Sequence, residues 1–209
     1  MSMTAQEVAG LFTRSDGQYL FARWGRALAP VVFGAEEATI GAFKGAFEAV
    51  VTLADHRMAE TDPELGANVM VFLCREWAEL AEVPGLERLV EGLGPLIARL
   101  EAADANQYRV FRFEADGAIR AAVVMLRADE QLMAVPAQTL ALSQAAQTIL
   151  LWSDTAFAER APLADAGGHT ILRPEIGDVI RAAYDPVMPA AATDPAHALR
   201  VAARLGGAQ

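Results

Sequence analysis

PAQTLALSQAAQTILLW, residues 136–152, decides the fold of this chain, because it holds no charged side chain. A helix of that composition has no face suited to water and must be enclosed on most sides. Pro136 fits a first helical turn, where its missing N–H costs no hydrogen bond. Gln138, Ser143, Gln144 and Gln147 interrupt the apolar run and Val135-Pro136 lies near its start. The stretch therefore reads as a buried core helix and not as a membrane span.

Directly before it, residues 108–113 and 119–126 flank Ala115-Asp116-Gly117, which predicts a β-hairpin. In its first strand Tyr108, Val110 and either Phe111 or Phe113 are expected to face inward. Further upstream, Ile40, Phe43, Phe47, Val50 and Val51 recur at the spacing of one helix face within residues 36–53. Residues 67–74, rich in Val, Met and Phe, read as a buried strand. Residues 76–82 and 85–103 predict helices divided by Val83-Pro84. The second carries a stripe of Leu86, Leu89, Val90, Leu93, Ile97 and Leu100, with a kink or break expected at Gly94-Pro95. Near the start, residues 19–24 and 30–33 predict a pair of strands separated by Gly25-Arg26. Downstream, residues 174–183 and 196–205 predict two helices, with Tyr184-Asp185-Pro186 as the stop between them and Thr193-Asp194-Pro195 as a cap-like start. The expectation is one α+β domain over residues 1–209, a mixed sheet with a C-terminal-side hairpin packed on a buried central helix.

The composition suits that expectation and narrows the partners. Of 209 residues, 54% are apolar and 21% charged, a globular balance, and the formal net charge is −10. That charge argues against nucleic acid and anionic membrane as partners, and no basic run interleaved with aromatics offsets it. The one cysteine, Cys74, excludes an internal disulfide and a cysteine-rich zinc knuckle. Residues 1–10 lack a basic segment and an apolar stretch of signal-peptide type, so a cytoplasmic location is expected. No internal repeat or Gly/Ser/Pro-rich linker divides the chain.

The order of a long helix, a sheet ending in a hairpin and then a buried helix resembles the zincin metallopeptidases, whose buried helix carries H-E-x-x-H. The chain is also similar to a bacterial family of unknown function with a degenerate version of that helix. Arg23-Trp24 with Ala29-Pro30-Val31 carries the first part of the likeness. Ser143-Gln144-Ala145-Ala146-Gln147, followed by Leu150-Leu151-Trp152-Ser153-Asp154, carries the second. Asp178-Val179-Ile180 through Tyr184-Asp185-Pro186, with the last helix, carries the third. Leu150 stands where that family has Gly, and Ser153 where it has Asn. The resemblance implies a zincin-like fold in which Ser143, Gln144 and Gln147 occupy the positions of ligand, general base and ligand.

Those residues do not support the chemistry. Ser and Gln offer neutral oxygens, whereas zinc favours imidazole, thiolate and carboxylate. Gln144 cannot take a proton from water at neutral pH. The expectation is a pseudo-enzyme with no catalytic residues, no metal and no cofactor. Ser143, Gln144, Gln147 and Asp154 then mark a degenerate site. Either it remains a cleft for a peptide, protein or small molecule, or its polar groups bond to the sheet edge or to buried water. Two alternatives stay open: an enzyme of another class using Cys74 or a cleft carboxylate, and a structural or oligomeric module. His56 lies at a helix end, where a cation is welcome against the dipole; it, His169 and His197 are each expected to be surface or capping residues, since no pair falls at ligand spacing. The carboxylates Asp62, Glu64, Asp165 and Asp185 are scattered without calcium-loop spacing.

Overall fold

The computed structural model describes residues 3–205. Helix α1 (Ala5–Gly10) opens the chain. Its Thr4-x-x-Glu7 start is a capping box, with Glu7 N–H donating to Thr4 Oγ1 and Thr4 N–H to Glu7 Oε2. The periodicity reading left this element out. Strand β1 (Phe21–Ala22) follows, then β2 (Pro30–Phe33). The expected pairing of these two strands is not formed: β1 pairs antiparallel with residues 191–192, and β2 pairs in parallel with the next strand. Two parallel neighbours need a crossover, and α2 (Glu37–Leu53) supplies it. Phe43, Phe47, Val50 and Val51 are buried along one face of α2, while Ile40, at the first turn, is 38% exposed.

Strand β3 (Val69–Cys74) lies between β2 and the hairpin. Gly34, with φ of 75°, takes the chain out of β2 where an added Cβ would sit 2.0 Å from the Leu73 carbonyl oxygen. Only glycine is tolerated there. A 3₁₀ turn (Trp77–Glu82), α3 (Leu86–Leu89) and α4 (Leu93–Ala102) come next. The expected break at Gly94-Pro95 lies earlier, at Gly92, which has φ of 69°. Pro95 falls in the first turn of α4, where no donor is missed. The hairpin of β4 (Gln107–Phe113) and β5 (Ile119–Arg127) turns through Gly117, which has φ of 85°. A register shift at Arg112/Phe113 leaves Phe113 exposed.

A short helix the reading did not foresee, α5 (Glu130–Met133), capped by Asp129, separates the hairpin from the charge-free helix. That helix, α6, is shorter than residues 136–152: it spans Ala137–Thr148 and is mostly buried. Its end is set from outside. The Trp152 indole donates to Ala146 O, the Trp24 indole to Thr148 O and the Tyr184 hydroxyl to Ile149 O, each at 2.9 Å. These bonds satisfy carbonyls that a helix terminus leaves without partners, and residues 149–152 turn away to bond with β1 through Leu151 N–H to Ala22 O. A small hairpin, β6 (Leu163–Ala166) and β7 (His169–Leu172), turns on Gly167 and Gly168, both with positive φ. Helix α7 (Pro174–Ala183), β8 (Ala191–Ala192) and α8 (Ala196–Leu205) complete the chain, and β8 is the partner of β1.

The main sheet has order β2-β3-β5-β4, with β2, β3 and β5 parallel and β4 antiparallel at the edge. Alternate side chains of β3 and β5 point to opposite faces. Val69, Val71, Ala122, Val124 and Leu126 join the core around α2 and α6, while Met70, Phe72, Val123 and Met125 meet the 3₁₀ turn, α3 and α4. Strands covered on both faces read as unbroken apolar runs, as these do. Among the described residues, no helix is long and apolar enough to cross a membrane.

Candidate functional site

Side chains alternate along β4, so Gln107, Arg109 and Phe111 share the face toward α6, while Tyr108 and Val110 belong to the opposite core. On the α6 side a cleft of about 480 Å³ opens beside the strand. Its polar lining includes Gln107, Arg109, Gln147, Asp154 and Arg14, and Trp152 with Phe157 forms an apolar wall. Trp152 is held by stacking on Phe12 at 5.4 Å between ring centroids. The segment after α1 completes the wall: Ser153 N–H donates to Leu11 O and Ser153 Oγ to Thr13 O, both at 2.8 Å.

The four residues expected at the degenerate site divide. Gln144 is 1% exposed, and its polar atoms turn to β4. Its Oε1 accepts from Arg109 Nη2 at 2.5 Å, and its Nε2 donates to Gln107 Oε1 at 3.1 Å. Ser143 accepts from Gln147 Nε2 at 2.9 Å, one turn along the helix. Gln147 lines the cleft, and so does Asp154. The Asp154 carboxylate accepts from the Ser15 hydroxyl and from Ser15 N–H, which hold its pKa below the usual range.

Arg109 is the residue the sequence reading missed. It is half-buried, yet among the described residues no carboxylate lies within ion-pairing distance of it. Its Nε is closed off from solvent without a hydrogen-bond partner. Burial lowers its pKa to about 10, which leaves the guanidinium charged at neutral pH. The available signal was the alternation of Gln107 and Arg109 with apolar neighbours in a strand. Which face meets α6 is a tertiary fact.

No group of three His, Cys, Asp or Glu side chains is gathered for a metal ion among the described residues. At the helix the donors are neutral oxygens, and the Gln144 oxygen is already bonded to a cation. A divalent ion placed there would meet uncompensated charge and a guanidinium, and both disfavour it.

Of the histidines, His169 matches its expected place and His197 does not. The His56 ring donates from Nε2 to Arg26 O at 2.8 Å, and burial lowers its pKa. His197 is buried against Phe21, with Nδ1 2.8 Å from the Tyr19 hydroxyl, and is no surface residue. His169 is exposed on β7. Cys74 borders a separate apolar cavity of about 530 Å³. Its thiol is buried, donates to Leu126 O at 3.5 Å and has its pKa pushed up by burial to about 11. Asp62 is no scattered surface carboxylate but a buried acceptor for Arg26, Asn68 and two backbone N–H groups.

Fold and site together define an α+β domain with an open cleft between an edge strand and the segment that follows a charge-free helix. The chain matches no protein-family model, no curated protein and no solved structure.

Proposed function

We propose that this is a non-catalytic, zincin-like domain that binds an extended peptide along the free edge of β4. The order of crossover helix α2, sheet ending in a hairpin and buried helix α6 supports the zincin-like part. The neutral side chains at the peptidase positions of α6 support the loss of catalysis. The observation that carries the binding role is β4 itself. Among the described residues it is an edge strand paired with β5 alone, with a cleft on the α6 face and a second cavity of about 480 Å³ on the α4 face. Both are bordered by Tyr108 and Phe111. A peptide added to such an edge gains main-chain hydrogen bonds and sends alternate side chains to opposite faces, where each cavity receives one set. The burial and raised pKa of Cys74 weigh against a thiolate nucleophile.

The test is selection from a displayed library of random heptapeptides, followed by amide hydrogen exchange with a selected peptide. Protection of residues 107–113 on binding is the expected result. A library that yields no binder, or binders that protect other segments and leave β4 unchanged, overturns the proposal.

A further inference from the structure

Two cations face the α6-side cleft, Arg14 and Arg109, and one carboxylate, Asp154, which is already engaged by Ser15. The rest of the chain is strongly acidic, with a net charge of −10. A cleft of the opposite sign on such a surface is a local choice of partner, since the long-range field repels anions. Arg109 spends Nη2 on Gln144 and, more weakly, on Gln107 at 3.4 Å. Among the described residues Nη1 makes no hydrogen bond; Nε has none either but is closed off from solvent, so Nη1 is the donor open to a ligand. A half-buried guanidinium with Nη1 unspent and no carboxylate beside it is incomplete as a structural group. Gln144, locked between Arg109 and Gln107, holds the fork in place, so little ordering cost remains for a ligand.

We infer that Arg109 is the seat for a carboxylate of the ligand, with Trp152 and Phe157 as its apolar wall and Gln147 as a polar neighbour. This rests on the peptide-binding reading for the source of that carboxylate: an Asp or Glu side chain of an extended peptide. A free small dicarboxylate offers the same chemistry and is separated by the experiment. A carboxylate of the ligand makes a charge-assisted bond to the unspent Nη1 of Arg109, beside the Trp152 and Phe157 rings.

Two fluorescein-labelled heptapeptide pools, randomised except for a central Asp or a central Asn, are titrated by fluorescence anisotropy against the full chain, with glutarate as competitor. The Asp pool binds about tenfold more tightly, as expected for a charge-assisted bond replacing a neutral one. Arg109→Gln, shown to be folded by its melting curve, abolishes that ratio, and Arg109→Lys keeps part of it. Equal binding of the two pools by the unaltered protein overturns the carboxylate seat while the peptide reading stands. If neither pool binds but glutarate raises the melting temperature in an Arg109-dependent way, the seat stands and the peptide reading falls. Failure of pools and glutarate alike removes both.

Discussion

Arg109 on β4 donates to the side-chain oxygen of Gln144 on α6, so a permanent cation is fastened to a neutral amide of the charge-free helix. This bond joins the sheet edge to the helix beside the cleft that Arg109 lines. It has the opposite electrostatic sense from a metal-activated base, because the oxygen is neutral and its partner is a fixed positive charge. Three consequences concern the cleft, and two concern the fold that supports it.

The purified protein is expected to hold no stoichiometric zinc and to show no chelator-sensitive peptidase activity, and a chelator is expected to leave its melting temperature unchanged. Neutral donors beside the Arg109 charge leave an ion uncompensated. Elemental analysis after dialysis, with melting curves with and without chelator, checks this; one zinc per chain with a chelator-induced drop would place ligands elsewhere and sink the pseudo-enzyme reading.

Gln144→Ala removes the acceptor that Arg109 relies on and leaves a half-buried guanidinium with fewer partners. A loss of about 1–3 kcal/mol is expected from urea unfolding, the range for a polar group deprived of its hydrogen bond. A loss within error of zero would show that water replaces the amide.

Gln144→Glu neutralises Arg109 internally while keeping size and shape. The variant stays folded and loses the preference for the Asp pool over the Asn pool, although backbone-driven peptide binding persists. Retention of the full preference would mean that Arg109 is not the group that reads the ligand's charge.

Tyr184 sits under the end of α6, where its hydroxyl donates to Ile149 O at 2.9 Å and accepts from Trp24 N–H at 3.2 Å. Tyr184→Phe leaves both backbone groups buried and unpaired. A destabilisation of about 2 kcal/mol is expected, with faster exchange of the Trp24 amide as its local signature. Unchanged stability would show that these groups find other partners.

Acid weakens the fold in two stages. Burial lowers the pKa of His197 from 6.5 to about 4, with Arg200 adding repulsion. The unfolded chain therefore binds a proton that the fold refuses in that window, and the stability present above pH 6.5 is lost as pH falls toward 4. His56, also lowered by burial, contributes with the same sign. Below this, burial raises the Asp62 carboxyl, but Leu65 and Glu64 N–H groups, then Arg26 and Asn68, outweigh it and bring it from 3.8 to about 2. Its contribution is present above 3.8 and is lost as pH falls through 2. Urea unfolding of the unaltered chain and His197→Phe at several pH values tests the first stage: the variant has the shallower slope, and identical slopes would remove His197 from the account.

The sequence by itself determined the elements that local chemistry governs. The absence of charge in residues 136–152 required an enclosed helix, and α6 is mostly buried. Asp116-Gly117 required the turn that joins β4 and β5, since few residues accept a positive φ. The identities of Ser143, Gln144 and Gln147 settled which metal-ligand types α6 lacks. Tertiary structure decided everything that depends on partners distant in the chain. The end of α6 at Thr148 is set by indoles and a phenol from residues 24, 152 and 184. The pairing of β1 with β8 joins opposite ends of the chain, and no local pattern specifies it. Arg109 shows the limit most plainly. Alternation places Gln107 and Arg109 on one face of a strand, but period-two patterning is the same whichever face meets the helix. Only the meeting of α6 with β4 turned an ordinary strand arginine into a cation held by Gln144 and lining a cleft.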